Sequence, residues 1–295
     1  MLIKNGKVFL SDGKFHDCAL RFGAQVEETG AFDGEGCDAS GCYVIPGLVD
    51  VHTHGAMNRD FSDGDPEALG VASKYYAENG VTSFLATTMT LKEHQLMPAM
   101  ACVKDSGPLP GARCAGIHLE GPFLCYNKRG AQNPDNLHAP DADMFMRLNE
   151  ASGGAVRLIT VAPEVEGGID FIKRVSPVCT VSVGHTEADY DTAMRAYEAG
   201  ASHTTHLFNG RPSAPSRIYV PSASAERRAP SVPATAKTAK VCIVKGMGAG
   251  TLNQAQSEMS AAESAIYAMS RVFAAPGRGP RALSRRPSRR RRRRP

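Results

Sequence analysis

Residues 46–55, PGLVDVHTHG, place two histidines two positions apart at the end of an apolar run. In a β-strand, residues i and i+2 point to the same face, so His52 and His54 are expected to project together. Two neutral imidazoles that converge on one point are typical ligands of a divalent metal ion. Two ordinary polar residues at the end of a strand would give the same short pattern. The choice between a metal site and two structural residues therefore depends on the rest of the sequence.

The composition is typical of a loop-rich globular enzyme. The chain has 295 residues, of which 42% are hydrophobic and 29 are glycine. No segment approaches the roughly 18 apolar residues of a membrane span, and the N-terminus lacks the apolar core of a signal peptide. We therefore expect a cytoplasmic protein with no membrane partner. The eight cysteines include no C-x-x-C pair, so they are expected to be reduced thiols.

From Leu48 onward, apolar segments that predict strands alternate with amphipathic segments that predict helices. Six such strands are predicted: LVDVHTH, TSFLATTM, RCAGIHLEG, VRLITVAPE, CTVSVGH and ASHTTHLFN. Mostly apolar strands that alternate with helices imply a parallel sheet covered on both faces. A doubly wound sheet and a (β/α)₈ barrel both fit this pattern.

The position of the polar residues favours the barrel. His52 and His54, Glu120, His185 and His206 lie at the C-terminal ends of four different predicted strands, and catalytic groups of (β/α)₈ barrels occupy that rim. A complete barrel needs eight strands. We therefore predict an incomplete barrel of about six strands over residues 47–210, after small antiparallel strands over residues 1–46.

After Asn209 the alternation of strands and helices stops. Residues 211–295 contain 18 basic and 3 acidic residues, whereas residues 1–210 contain 16 basic and 27 acidic ones, so the net charge of +4 conceals two different compositions. Within this Pro/Ser/Arg-rich tail, CIVKGMGAG over residues 242–250 predicts a strand and a turn. The arginine-rich end predicts disorder.

One carboxylate and four imidazoles at strand ends form a plausible hydrolytic centre for one or two metal ions. His and Glu suit Zn²⁺ or a similar divalent ion, and a carboxylate can bridge two ions. A bound ion lowers the pKa of its water toward about 7, which supplies a nucleophile at neutral pH.

Several motifs together resemble the N-acetylglucosamine-6-phosphate deacetylases of the amidohydrolase superfamily. They are YVIPGLVDVHTHG, GIHLEGPF, KRGAQNP, VAPE, SVGHTEADYD and HTTHLFNG, and they cover roughly residues 1–210 in family order. The resemblance implies a metal-dependent hydrolase barrel with a small β-sandwich portion over residues 1–46. It also implies hydrolysis of the N-acetyl group of N-acetylglucosamine 6-phosphate to glucosamine 6-phosphate and acetate, and a homo-oligomer.

The resemblance also assigns metal ligands by position. Glu120, His185 and His206 match the family's principal ligands. His52 and His54 match the pair that holds a second ion in members that retain H-x-H.

Four further positions match segments that meet the substrate. Ala131 and Gln132 fall in the segment that touches the sugar, and Asn209 and Gly210 fall where the family meets the phosphate through amide donors. Other polar residues are expected to be structural: His118 as a packed strand residue, and His203 because it points to the face opposite His206. Glu164 is more simply an ordinary strand-end carboxylate than a group that orients a ligand.

The chain departs from the family pattern after this point. The family uses an Asp after the eighth strand as general base and then general acid, but this sequence has no Asp after Asp191 and no His after His206. The missing Asp predicts that this chain is inactive as it stands. Arg217 lies near the position of a family phosphate-binding Arg, in surroundings that do not match.

Two interpretations of residues 211–295 stay open. A change of reading frame near Gly210 explains the abrupt charge switch and the end of the family motifs, and we favour it. In a genuine basic appendage, the arginines would bind polyphosphates without specificity, so no specific nucleic-acid partner is expected. The functional alternatives are another amidohydrolase, such as a cyclic amidase or a deaminase, and an inactive metal-binding remnant with a basic tail.

Overall fold

The structure is a computed structural model that describes residues 1–23, 25–207 and 241–245. The first strands are β1 (Leu2–Phe9), β2 (Phe15–Phe22), β3 (Val26–Gly30), β4 (Cys37–Asp38) and β5 (Cys42–Pro46). The next elements are β6 (Leu48–Thr53), β7 (Gly55–Ala56), β8 (Arg59–Asp60), α1 (Pro66–Glu78), β9 (Val81–Thr88), α2 (Glu93–Asp105) and β10 (Arg113–Glu120). The last are α3 (Ala142–Ala151), β11 (Val156–Val161), α4 (Gly168–Val175), β12 (Thr180–Val183), α5 (Tyr190–Glu198), β13 (His203–Thr204) and β14 (Val241–Lys245).

Six parallel strands form a curled half-barrel in the order β13-β12-β11-β10-β9-β6. Among the described residues, five helices, α1 to α5, alternate with these strands along the chain. The predicted incomplete (β/α) barrel is therefore confirmed. Because the strands are parallel, their C-terminal ends lie along one rim of the sheet, which places the residues that follow them close together.

The first five strands and β14 form a separate sheet with the order β14-β5-β1-β2-β3, in which β4 also pairs with β1. Its buried face carries the apolar cluster Ile3, Val8, Leu20, Phe22, Ala39 and Val44. The expectation of small antiparallel strands needs a correction, because β1 pairs antiparallel with β2 but parallel with β4 and β5. The sheet is therefore mixed. The pairing partner of a strand is decided by distant residues, which local alternation does not reveal.

The short strand β14 comes from the basic tail. It pairs antiparallel with β5 along its whole length, from Val241 opposite Pro46 to Lys245 opposite Cys42. The strand predicted near residue 242 is confirmed. Of the prediction that the tail is disordered or frameshifted, the disorder is wrong for residues 241–245. The rest of the tail lies outside the described residues.

The main apolar core lies between the half-barrel and helices α2 to α4. Fully buried members include Phe123, Phe145 and Ile159, and Phe123 packs on Phe171 with ring centroids 4.8 Å apart. A second cluster around Phe84 packs α1 against β9. Burial on both faces accounts for the nearly continuous apolar strands of the sequence.

Aspartates begin three of the helices. Asp65 accepts a hydrogen bond from the backbone N–H of Glu67, Asp141 from that of Met144, and Asp189 from that of Thr192. These N-caps satisfy donors that the helices leave unpaired and fix the loops that lead from the rim into each helix. Within the described ranges, every helix is too short or too polar to cross a lipid bilayer.

The buried thiol of Cys179 makes stability depend on pH. Burial raises its pKa from 9.0 to about 12. Between these values the unfolded chain loses the proton while the folded chain keeps it, so the free energy of unfolding falls as pH rises. The slope from this one group is at most about 1.4 kcal/mol per pH unit.

We therefore expect the stability difference between wild type and Cys179→Ala to shrink as pH rises from 9 to 11. Urea denaturation at several pH values measures this difference. Cys37→Ala is the matched control, because Cys37 is exposed in the folded chain. A Cys179→Ala difference that is constant over this pH range would contradict the assignment.

Candidate metal centre

Five side chains meet at the C-terminal rim of the half-barrel. Glu120 Oε1 lies 3.1 Å from His52 Nε2, 3.0 Å from His185 Nε2 and 2.8 Å from His206 Nε2. Glu120 Oε2 lies 3.1 Å from His54 Nε2. The structure thus brings together all five residues that the sequence suggests as ligands. They arrive from β6, from β10 and from the residues just after β12 and β13.

Local backbone geometry turns two of the histidines toward the centre. His185 and His206 have φ values of 50° and 52°, in the left-handed region that a side chain of this size rarely adopts. Gly184 precedes His185 at a close approach between chain segments, because a Cβ there would lie 2.7 Å from Thr205 Cβ. Strained conformations of this kind persist where the surroundings impose them, and they cluster at functional sites.

The centre is an anion surrounded by imidazoles. Glu120 is only 1% exposed. Burial by itself raises the pKa of its carboxyl, but hydrogen bonds from the four histidines hold that pKa far below its ordinary value. In return, contact with Glu120 outweighs burial and raises the pKa of His54 and His185. Glu120 is therefore ionised at any physiological pH.

The tautomer of His185 shows that the donor set suits a cation. Its Nδ1 lies 2.7 Å from the backbone carbonyl of Lys128. A carbonyl only accepts, so Nδ1 carries the proton and the Nε2 of the neutral ring is a lone pair. When the ring is protonated on both nitrogens, Nε2 donates to the Glu120 carboxylate at 3.0 Å, and loss of that proton leaves a lone pair directed at the same point. An imidazole nitrogen and a carboxylate oxygen directed at one point, with the far nitrogen fixed by a carbonyl, are the arrangement that a metal ion requires of its histidine ligands.

Two overlapping groups of ligand atoms share Glu120. One consists of His52, His54 and Glu120, and the other of Glu120, His185 and His206. Within each group the atoms lie within 4.8 Å of one another. A carboxylate common to both groups fits either one ion or a bridged pair of ions.

The two residues predicted to touch the sugar are placed differently from each other. Ala131 is exposed in the loop after β10. Gln132 is buried, and its side-chain Nε2 donates to Glu120 Oε2 at 2.9 Å. The predicted phosphate contacts, Asn209 and Gly210, lie outside the described residues, as does Arg217.

His118 lies beneath the centre and is fully buried. Burial lowers the pKa of its imidazole well below the ordinary value, so the ring is neutral. Its Nδ1 lies 3.1 Å from the carbonyl of Val51 and therefore donates, while its Nε2 accepts from the hydroxyl of Thr160 at 2.8 Å. Both nitrogens are used by the protein, as expected of a structural residue.

The hydrogen-bond chain continues from Thr160 across the interior. The Thr160 and Thr205 hydroxyls are 2.9 Å apart, those of Thr205 and Ser182 are 2.7 Å apart, and Ser182 Oγ lies 2.9 Å from His203 Nδ1. Because His118 fixes the first donor, each hydroxyl donates once and accepts once. This polar layer was missed from the sequence, although single hydroxyls within apolar strands, as in LIT and VSV, are a signal for it.

Glu164 supports the loop that carries His185. Its carboxylate accepts from the Thr186 hydroxyl and, at 2.6 Å, from the backbone N–H of Glu187. The expectation of an ordinary strand-end carboxylate therefore needs correction, because Glu164 holds the two residues that follow a candidate ligand.

Comparisons with known proteins agree with this fold. The sequence profile of the Amidohydrolase family matches residues 43–272. N-acetylglucosamine-6-phosphate deacetylase of Bacillus subtilis is 33% identical over 214 residues, which is 70% of this chain and 53% of that protein. The human deacetylase is 36% identical over 182 residues, which is 58% of this chain and 44% of that protein.

Solved structures give the same result. N-acetyl-D-glucosamine-6-phosphate deacetylase from Mycobacterium smegmatis superposes with a TM-score of 0.65 at 30% identity, over 71% of this chain and 56% of that one. The chain belongs to the amidohydrolase family. It spans about half the length of the curated deacetylases that it matches.

Loss of a ligand should weaken metal binding selectively. We expect His185→Asn to reduce the affinity for zinc by at least about 100-fold, beyond the usual cost of losing a supporting contact. Competition with a chromogenic chelator measures this affinity. His94→Asn, at an exposed position on α2, should bind zinc like wild type. Equal affinities of the two variants would contradict the proposed centre.

Proposed function

We propose that Glu120, His52, His54, His185 and His206 hold one or two divalent ions, with zinc as the expected metal. The support is the donor set, which combines four imidazoles with a permanently ionised carboxylate, and the orientation of His185, whose Nδ1 is held by a carbonyl while its Nε2 faces that carboxylate. An ion bound there would act as a Lewis acid and lower the pKa of water, which is the chemistry that amide hydrolysis needs.

The reaction that this site supports best is hydrolysis of the N-acetyl group of N-acetylglucosamine 6-phosphate. The supporting relatives are deacetylases of this sugar phosphate, and a mutant of the Mycobacterium smegmatis enzyme has been solved in complex with N-acetyl-D-glucosamine-6-phosphate. This chain matches about half the length of those proteins, and it contains the motifs from GIHLEGPF to HTTHLFNG on which the family resemblance rests. The products are glucosamine 6-phosphate and acetate.

Different residues of the chain have different roles in the proposed reaction. The four imidazoles and Glu120 bind the cation, and the loop of residues 126–132 borders them on the rim, since the Lys128 carbonyl lies 2.7 Å from His185 Nδ1. Ala131, exposed on this loop, is suited to contact a sugar through its backbone. Asn209 and Gly210 follow His206 closely in the sequence and are proposed to meet the phosphate through amide donors.

Proton transfer sets the expected rate. Amide hydrolysis needs a group that takes a proton from water and returns it to the leaving amine. The sequence contains no Asp after Asp191, and a positioned general acid–base contributes about 10²–10⁴-fold. We therefore expect turnover at least that much slower than that of the Bacillus subtilis deacetylase. The second candidate, a metal-binding protein without appreciable turnover, rests on this missing group.

A deacetylation assay with controls tests the proposal. Zinc-loaded protein at high concentration is incubated with N-acetylglucosamine 6-phosphate, and acetate is followed by NMR. Slow acetate release that requires zinc is expected in wild type and His94→Asn and should be absent in His185→Asn. Binding of the phosphorylated sugar should exceed that of N-acetylglucosamine.

Three results would count against this function. If the protein binds zinc but neither binds N-acetylglucosamine 6-phosphate nor releases acetate, the result would favour the metal-binding remnant. Hydrolysis of a cyclic amide such as dihydrouracil instead would identify a cyclic amidase, and loss of an exocyclic amine would identify a deaminase. The same zinc-loaded preparation serves all three assays.

Two further properties are proposals drawn from the relatives. We infer a cytoplasmic location, since a phosphorylated sugar is an intracellular type of substrate, and a homo-oligomeric assembly. Size-exclusion chromatography with light scattering measures the assembly directly.

A further inference from the structure

We propose that Gln132 is a positioning residue that fixes the Glu120 carboxylate and so sets how tightly the centre binds its metal ion. This inference rests on the proposed metal site. It gives Gln132 a different role from the sugar contact that the sequence suggests.

The orientation of the Gln132 amide is determined by its partners. Its Oε1 lies 2.7 Å from the backbone N of Thr90. A backbone N–H only donates, so this atom has to be the amide oxygen, and the amide nitrogen therefore faces Glu120 Oε2 at 2.9 Å. The nitrogen also lies 4.0 Å from Met89 Sδ. Gln132 is 5% exposed, so the hydrogen-bonding atoms of its amide face the protein interior.

Thr90 closes a ring of hydrogen bonds around this contact. Its hydroxyl donates to the backbone carbonyl of Glu120 at 3.0 Å, and its own carbonyl accepts from Asn136 Nδ2 at 3.0 Å. Thr90 also packs so closely on the end of β10 that a Cβ at Gly121 would lie 2.2 Å from its hydroxyl oxygen. Gln132 is thus anchored to a residue that is itself tied to Glu120.

This ring of hydrogen bonds matters because the two oxygens of the Glu120 carboxylate have different numbers of partners. Three imidazoles face Oε1, whereas among the described residues only His54 and Gln132 face Oε2. The terminal torsion of a Glu side chain is soft. Without the amide, His54 alone would hold Oε2, and the carboxylate could rotate away from a position that serves both ligand groups. Supporting hydrogen bonds to metal ligands are typically worth about 10–100-fold in affinity.

Zinc affinity of Gln132→Met tests the proposal. Methionine is similar in size and has no N–H, so we expect an affinity about 10–100-fold weaker than that of wild type, measured by chelator competition. A modest loss of urea stability of the metal-free protein should accompany Gln132→Met alone, because the buried Thr90 N–H loses its acceptor. Gln132→His is the conservative variant, because a neutral imidazole offers one acceptor and one donor. It should restore most of the affinity. Gln25→Met, at an exposed position between β2 and β3, is the matched control.

The outcomes separate this inference from the proposed function. If wild type binds zinc, His185→Asn does not, and Gln132→Met binds like wild type, the positioning role is wrong and the metal site stands. If zinc-saturated Gln132→Met instead loses affinity only for N-acetylglucosamine 6-phosphate, Gln132 contacts the sugar. Lower metal-free stability in both Gln132 variants would assign a structural role and overturn the proposal. If wild type does not bind zinc, the proposed function itself fails.

Discussion

The site depends on one buried carboxylate that is surrounded by four imidazoles. An anion removed from water is costly unless partners compensate it, and in the described part of the chain Glu120 has five side-chain partners: His52, His54, His185, His206 and Gln132. Such an arrangement is stable only if strands from across the sheet deliver these groups to one point. The fold around it can be understood as the means of holding this cluster in place.

The polar layer beneath the cluster connects the strands that carry the ligands. Val51 precedes His52 and Thr205 precedes His206, and both belong to the hydrogen-bond chain that includes His118 and Thr160. A layer in which every donor and acceptor is satisfied favours one register of the strands, because a slip would leave buried polar groups unpaired. It therefore supports the ligand positions from below, while Glu164 and Gln132 support them from the rim.

Much of this could be predicted from sequence because it is local or periodic. The parity of His52 and His54, and the position of Glu120 at the end of an apolar run, indicate a shared centre without any structure. The parallel pairing of β1 with β5 and the orientation of Gln132 toward Glu120 could not be predicted, because both depend on contacts between distant segments. Likewise, nothing in the sequence indicates the left-handed backbone of His185 and His206.

All five candidate ligands lie before residue 207, in a chain that spans about half the length of its relatives. X-ray absorption spectroscopy of the zinc-loaded protein tests this account most directly. The predicted first shell contains only nitrogen and oxygen at about 2.0–2.2 Å with imidazole outer-shell scattering. A zinc–sulfur distance of about 2.3 Å, from any of the cysteines, would show that the metal binds elsewhere and would contradict the account.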